Sequence, residues 1–360
     1  MKKILTVNFG CRVNSAELNQ LTQKYINDGF TPLVKEGQGR LSPDLIVINT
    51  CAVTKKGEYE SISKIKDLQQ KFPQAKIFAT GCADLSKLKN VKIISKNNLP
   101  AFYTPQVKDK FSHTNRYLLR IQTGCTAFCS YCIVPYRRPH LWSLPINEAI
   151  SIVNHIPTYQ EIIITGVNLN QYTPSLSNLL EALLIQTKIP LISFGSVPLL
   201  CIDKNFINLY EKYSDRLSHF LHIPIQSGSD KILKLMNRPY NVKKTKEIFS
   251  LLKTPFFQGG VPDLPAGRHG GRGGLNFGTD IIVGFPTETD SDFQQTYNLC
   301  QQLGFSKLHV FRFSPRPNTP ALKLFKDSPK ISNLEKISRS QKLRSLISQT
   351  TLPFHQTPGT

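Results

Sequence analysis

The stretch Ile121-Gln122-Thr123-Gly124-Cys125-Thr126-Ala127-Phe128-Cys129-Ser130-Tyr131-Cys132 sets three cysteines as C-x-x-x-C-x-x-C on one short loop, with a tyrosine just before the last. Three thiolates so placed can each hold one iron of a cubic iron–sulfur cluster, and the fourth iron is left without a protein ligand. Electron carriers close their clusters with four cysteines. An open iron can instead bind a substrate or cofactor directly, so the spacing points to chemistry more than to electron storage. A zinc knuckle would need a fourth Cys or His nearby, for which His140 is the closest candidate.

Working outward, the loop directly follows a strand-like run, Tyr117–Gln122. Further strand-like runs are Glu161–Thr165, Leu191–Phe194, Phe220–Ile225, Asp280–Val283 and Lys307–Phe311, with helix-like stretches such as Asn147–His155 and Asp230–Leu235 between most of them. This alternation suits a parallel barrel or a partial one, whose active site assembles on the loops after its strands. Residues 254–276 break the pattern with Gly/Pro-rich sequence and read as a surface insertion, with an RNA-contacting arginine–glycine arm as the functional alternative. After Pro320 a basic amphipathic helix is expected over Asn333–Ser348, then a polar tail.

Upstream, Lys3–Phe9, Leu45–Asn49 and Lys76–Thr80 read as strands. Asn14 is expected to N-cap the first helix with Glu17 as its capping-box partner, and Gly29 to end it. Leu18, Leu21 and Tyr25 then share one helical face, and a polar helix follows near Glu58–Lys71. Strand–helix–strand repeats imply a parallel sheet of flavodoxin-like type. Cys11, Cys51 and Cys82 each fall within two residues after one of the three strands. In a parallel sheet the carboxyl ends line one edge, where ligand sites form, so three thiols far apart in sequence should converge as a second three-cysteine set. Three buried structural cysteines are the alternative. Cys201 and Cys300 lie in apolar surroundings outside any cysteine pattern and are expected in the core.

The chain has 360 residues, about two domains' worth, of overall α/β class. The division expected is an N-terminal domain over 1–104, a linker over 105–116, a barrel over 117–330 and a basic helix with tail over 331–360. No run reaches the ~20 apolar residues of a membrane span, and the N-terminal apolar stretch dies at Asn8, short of a secretory signal. A cytoplasmic protein without membrane attachment is expected. There the eight cysteines favour metal ligation over disulfides. The net charge of +21 is spread along the whole chain and fits a polyanion partner such as nucleic acid, a lysine-rich solubility surface being the alternative.

These motifs resemble the radical S-adenosylmethionine methylthiotransferase family over nearly the whole chain. Cys125, Cys129 and Cys132 match its radical signature, and Tyr131-Cys132-Ile133-Val134-Pro135 its methylthiotransferase form. Asn8-Phe9-Gly10-Cys11-Arg12-Val13-Asn14, Ile48-Asn49-Thr50-Cys51-Ala52-Val53-Thr54 and Ala79-Thr80-Gly81-Cys82 look like its three N-terminal cluster motifs. Thr165-Gly166-Val167-Asn168-Leu169, His222 through Ser229, Ile282 through Glu288 and Phe313 through Thr319 look like its barrel motifs. The resemblance implies two [4Fe–4S] clusters and S-adenosylmethionine. The cluster on Cys125, Cys129 and Cys132 would generate a 5′-deoxyadenosyl radical. The auxiliary cluster on Cys11, Cys51 and Cys82 would carry the sulfur, with no catalytic side chain beyond these ligands. Tyr131, Thr165, Gly166, Asn168, Ser196, Gln226, Ile282 and Gly284 would line the S-adenosylmethionine pocket, and His222 is expected to be a buried structural residue.

The wording Gly10-Cys11-Arg12-Val13-Asn14 resembles the subgroup acting on threonylcarbamoyladenosine beside the tRNA anticodon. The implied partners are the tRNA anticodon stem–loop and an electron donor such as flavodoxin or ferredoxin. Sister groups modify isopentenyladenosine in tRNA or an aspartate of a ribosomal protein, and a non-catalytic iron–sulfur RNA-binding protein is the alternative of another class. The sequence departs from the family twice. After Pro135 the family reads arginine–glycine and then arginine–serine–arginine, whereas here it is Arg137-Arg138-Pro139-His140-Leu141-Trp142-Ser143-Leu144. The chain also stops at Thr360, about where the family's terminal RNA-binding module (TRAM) would begin, and that module is expected to be absent.

Overall fold

The computed structural model describes residues 2–33, 42–96, 99, 116–156, 159–253 and 275–348. The expected linker up to residue 115, the insertion up to residue 274 and the tail from residue 349 lie outside the described residues. Two boundaries move: Arg116, assigned to the linker, opens a strand, and so does Asn276, assigned to the insertion.

The N-terminal sheet contains β1 (Lys2–Asn8), β2 (Phe30–Pro32), β3 (Leu45–Thr50), β4 (Lys76–Gly81) and β5 (Lys92–Ile93), all parallel, in the order β2-β1-β3-β4-β5. Every residue of β3 is buried because helices cover both faces. Leu45 and Val47 pack with Leu18, Leu21 and Tyr25 of helix α1 (Arg12–Asn27), while Ile46 and Ile48 pack with Ile65 and Leu68 of helix α2 (Lys55–Lys71). The strand order reverses between β1 and β3, which makes the crevice beyond their carboxyl ends the natural ligand site of such a sheet.

The expected capping box of α1 does not form. The helix starts at Arg12 with Cys11 as its N-cap and no side-chain cap, and Asn14 and Glu17 are buried inside it. A capping box would need both side chains at a solvated helix end, whereas here they meet partners from the second half of the chain. Gly29, at φ +87°, does follow the helix end. Helix α2 has its N-cap at Thr54, whose hydroxyl accepts from Gly57 N at 3.0 Å.

The second half is an open α/β barrel in two sheets. One has the order β7-β6-β8-β9, with β6 (Arg116–Thr123), β8 (Glu161–Gly166) and β9 (Leu191–Phe194) parallel and the short β7 (Trp142–Ser143) antiparallel to the end of β6. The other has the order β10-β11-β12, with β10 (Phe220–His222), β11 (Asn276–Val283) and β12 (Lys307–Arg312) parallel. One large apolar core joins the outer faces of these strands to the surrounding helices, and Cys201 and Cys300 are buried in it, as expected. The strand expected over Phe220–Ile225 ends at His222, because Pro224 has no N–H for the ladder. The chain still runs along β11, with Ile223 N bonded to Gly278 O at 2.8 Å and Gln226 N to Asp280 O at 2.9 Å.

The helix Asn333–Ser348 has the expected bounds but not the expected amphipathic character. Its buried residues Lys336, Arg339, Ser340 and Leu343 fall at helical spacing, so its inward stripe is mostly polar. Arg339 accounts for this: it is bonded to Glu288 Oε2 at 2.7 Å, Asp290 Oδ1 at 2.6 Å and Glu335 Oε1 at 2.7 Å.

Candidate functional site

The three N-terminal cysteines stand where their strands end, along the carboxyl edge of the sheet. Cys11 caps α1 and is exposed, Cys51 follows β3 and is half-buried, and Cys82 follows β4 and is buried. Cys82 N donates to Thr50 O at 2.9 Å, an approach that requires Gly81. Gly81 lies at φ +104°, and a Cβ there would fall 2.2 Å from Thr50 O. Burial pushes the thiols of Cys11 and Cys51 up, and both also feel the charge of Cys82.

The loop after β6 is held at several points. Gly124, at φ +85°, turns the chain so close to His140 O that a Cβ would lie 2.0 Å from it. Cys125 N donates to Arg138 O at 3.0 Å, and Cys132 N to Cys129 O at 2.9 Å. Ser130 N donates to Met236 O at 3.0 Å, and Asn237 Nδ2 to Phe128 O at 3.1 Å, so the segment after the helix Asp230–Leu235 latches the loop. Each sulfur of the loop receives a donor: Asn168 Nδ2 to Cys125 at 3.5 Å, Arg238 to Cys129 at 3.3 Å and Val134 N to Cys132 at 3.4 Å. Burial, with the neighbouring cysteines adding to it, pushes Cys132 up to about 12.

Arg138 ties the two cysteine sets together. Its carbonyl holds Cys125 N, while its Nε donates to Cys82 Sγ at 3.2 Å. The rest of the guanidinium forks onto Glu17 at 2.5 and 2.8 Å and reaches Asn14 Oδ1 at 3.3 Å and Thr123 Oγ1 at 3.1 Å. Burial opposes the charge on both partners, yet their mutual bonds outweigh it: Arg138 ends above its ordinary range and Glu17 below its own. Arg120, on β6, adds a second cation 3.7 Å from Glu17. Sequence reasoning missed this network. The signal available was an Asn and a Glu three and six positions after the helix N-cap without any solvent-side reason to be there, together with an arginine in the segment that departs from the family pattern. The interface has further clasps: Arg12 to Gly195 O at 2.7 Å, Lys96 to Arg137 O at 2.7 Å, and the Arg316–Glu58 ion pair. Ile133 packs with Ala52 and Cys82, so the residue beside Cys132 touches the N-terminal set.

The residues expected to line a cofactor pocket lie at or beyond the carboxyl ends of β6, β8, β9, β10 and β11, with Tyr131 on the cysteine loop that follows β6. Thr165 and Gly166 end β8, and Asn168 N is held by Gln122 Oε1 at 2.8 Å while its side chain reaches Cys125. Tyr131 and Ile282 share one apolar cluster with Met236, Phe285 and Phe313. Gln226 has φ +67° and is buried, and its carbonyl accepts from Ile282 N at 2.9 Å. Gly284, at φ +71°, donates its N–H to Glu288 Oε2 at 2.7 Å, the oxygen that Arg339 also holds. Ser196 is exposed on the loop after β9.

His222 is buried, and its Nε2 lies 2.9 Å from Asp280 Oδ1, which also meets His309 Nδ1 at 3.2 Å. These three form the only His, Cys, Asp or Glu set among the described residues whose donor atoms all lie within 4.8 Å of one another. Neither cysteine triad is drawn in that tightly. A single tetrahedral ion on ~2.3 Å metal–sulfur bonds would bring its sulfurs to about 3.8 Å. The wider triads, with N–H groups aimed at four of the six sulfurs, suit clusters in which each thiolate holds its own iron.

The family model described as uncharacterized protein family UPF0004 matches residues 3–99, and the radical SAM superfamily model matches residues 119–259. The threonylcarbamoyladenosine tRNA methylthiotransferase MtaB of Thermotoga maritima is 30% identical over 94% of this chain and 80% of its own length. Its namesake from Aquifex aeolicus is 29% identical over 98% and 90%. The tRNA-2-methylthio-N(6)-dimethylallyladenosine synthase of Bdellovibrio bacteriovorus is 25% identical over 92% and 78%. Among solved structures, the radical S-adenosylmethionine methyltransferase TsrM of Kitasatospora setae superposes with a TM-score of 0.60 at 12% identity, over 89% of this chain and 77% of that one, which is a likeness of fold. With both halves matched and relatives of this identity spanning most of its length, the chain belongs to the radical S-adenosylmethionine methylthiotransferase family.

Proposed function

We propose that this enzyme adds a methylthio group to threonylcarbamoyladenosine beside the tRNA anticodon. In this reading Cys125, Cys129 and Cys132 hold the radical-generating [4Fe–4S] cluster and Cys11, Cys51 and Cys82 the auxiliary one. The observation that carries it is the meeting of two three-cysteine sets across one interface, with Ile133 packed on Cys82 and Arg138 bonded toward both sets. Two relatives named for threonylcarbamoyladenosine and a net charge of +21 support the choice of RNA substrate.

When bound, the two clusters and S-adenosylmethionine supply radical hydrogen abstraction and a transferable methylated sulfur. The protein's own residues hold and shield them. Arg138, Arg238, Asn168 and the Val134 amide direct N–H groups at sulfur, which favours its charged form. Tyr131 and Ile282 form part of an apolar wall that keeps water from the rim. Gly284 presents bare backbone there, fixed by Glu288, and Thr165, Gly166, Asn168, Ser196 and Gln226 complete the pocket. For RNA the target base must leave its stack to reach this edge. Flavodoxin or ferredoxin is the expected electron donor, in the cytoplasm; no helix among the described residues is long and apolar enough to cross a membrane.

Anaerobic reconstitution of the full chain should load about eight irons, and Cys11→Ala with Cys51→Ala and Cys82→Ala about four. Four irons in the unaltered chain would sink the two-cluster reading. Mass spectrometry of tRNA nucleosides from a deletion strain identifies the substrate: methylthio-threonylcarbamoyladenosine should vanish. Loss of methylthio-dimethylallyladenosine instead would assign the chain to the activity named for its Bdellovibrio relative.

A further inference from the structure

A cleft of about 590 Å³ opens beside the two cysteine sets, reaching Ile133 next to Cys132 and Asp84 just after Cys82. One side of it is a stripe of α2, Lys55, Tyr59, Ile62 and Lys66, whose spacing of i, i+4, i+7 and i+11 keeps it on one helical face over about 16 Å. Lys87, Tyr136 and Arg137 also line the cleft. Tyr59 is 72% exposed and Tyr136 43%, and Tyr136 meets the exposed ring of Phe128 edge-on at 5.8 Å. Rings left this open add little to the fold. Lys55, Lys66 and Lys87 are exposed and have no ion-pair partner among the described residues. The acidic lining is already engaged, since Glu58 pairs with Arg316 and Asp84 lies 3.3 Å from Arg137. The uncommitted charge of the cleft is therefore positive. A second cleft of about 410 Å³ shares Asp84, Tyr136 and Arg137 with it and continues to Gly81 and Arg138, beside Cys82.

We propose that this cleft docks a single-stranded RNA loop, with Tyr59 and Tyr136 stacking on unpaired bases and Lys55, Lys66 and Lys87 meeting the phosphates. Open aromatic faces interleaved with free lysines match single strands, because a base in a duplex has no face to offer. A loop from an RNA-binding protein would bring positive charge to a positive cleft, which disfavours a protein substrate here. The assignment rests on the tRNA reading above and adds where the RNA lies: across α2 and the Tyr136–Arg137 segment, with its target base delivered between the cysteine sets.

The test uses the reconstituted full chain and a fluorescently labelled anticodon stem–loop, with a blunt RNA duplex of equal length and a basic ribosomal-protein peptide as competitors. Binding anisotropy is followed across a salt series. Tyr59→Ala and Tyr136→Ala should each weaken stem–loop binding roughly five- to hundredfold. Lys55→Ala with Lys66→Ala and Lys87→Ala should flatten the slope of log affinity against log salt by about 2. Iron content and the substrate-free cleavage of S-adenosylmethionine should hold in the Tyr59→Ala and triple-lysine variants, which separates docking from misfolding. If the unaltered chain binds the stem–loop and these variants bind it equally well, the cleft assignment is overturned while the tRNA reading stands. If the chain ignores the stem–loop, or prefers duplex or peptide, both fall.

Discussion

Arg138 shows what one residue can do at a boundary. Its guanidinium is buried against Glu17, Asn14, Thr123 and Cys82, so no water can replace a lost partner. Breaking a buried pair from one side leaves the other charge stranded, at a cost of about 3–5 kcal/mol. Arg138→Ala should lower unfolding stability by that amount in chemical denaturation. Arg138→Lys should recover only part, because an ammonium cannot fork onto Glu17 and reach Cys82 together. Gly124 makes the second residue-scale prediction. Its positive φ and the 2.0 Å approach to His140 O leave no room for a methyl group, so Gly124→Ala should displace the cysteine loop and lower iron retention on the barrel set, read as iron per chain after gel filtration. The glycine and its three cysteines are legible as a motif in sequence. Arg138 is not, since Glu17 and Asn14, which hold its guanidinium, lie more than a hundred positions away.

At the scale of elements, helix Asp290–Leu303 is fixed by a capping box in which Asp292 accepts from Thr289 N at 2.9 Å while Thr289 caps Asp292 N. Asp292 also accepts from Ser229 Oγ and from Lys231 Nζ, both at 2.7 Å. Burial alone would raise the carboxyl, but these donors outweigh it and hold it well below the usual carboxylate range. A depressed acid stabilises the fold above its unfolded pKa, and the contribution disappears as pH falls through the folded value. Stability should therefore drop on acidification below the usual carboxylate range, and Asp292→Asn should show a flatter profile in thermal melts from neutral to acidic pH. Thr54→Ala, which removes the cap of α2, should cost about 1 kcal/mol by the same measurement. The sequence marks the existence of these helices well, because apolar spacing is local. It misplaces the start of α1, because the capping-box pattern of Asn14 and Glu17 is equally a pattern for burying a polar pair, and only their surroundings distinguish the two.

Across the whole molecule, the N-terminal sheet and the open barrel are joined by a few buried polar clasps: Arg138–Glu17, Arg316–Glu58 and Arg12 to Gly195 O. The Arg316 side chain is only 3% exposed, so Arg316→Ala should strand Glu58 and loosen the interface. Calorimetry should then resolve two transitions where the unaltered chain gives one. The helix Asn333–Ser348 extends the same logic, since Arg339 reaches Glu288 and through it the Gly284 turn at the rim.

By itself the sequence determined the two α/β halves, the strand-end positions of Cys11, Cys51 and Cys82, and the C-x-x-x-C-x-x-C loop. All of these follow from apolar period and residue spacing, which are local in the chain. The tertiary structure alone decided that the two cysteine edges face one another, that Arg138 and Glu17 hold them there, and that α2 turns a basic, aromatic stripe toward the gap. Those facts depend on how two separately patterned units dock, and docking is set by buried polar partners whose distance along the chain leaves no periodic trace.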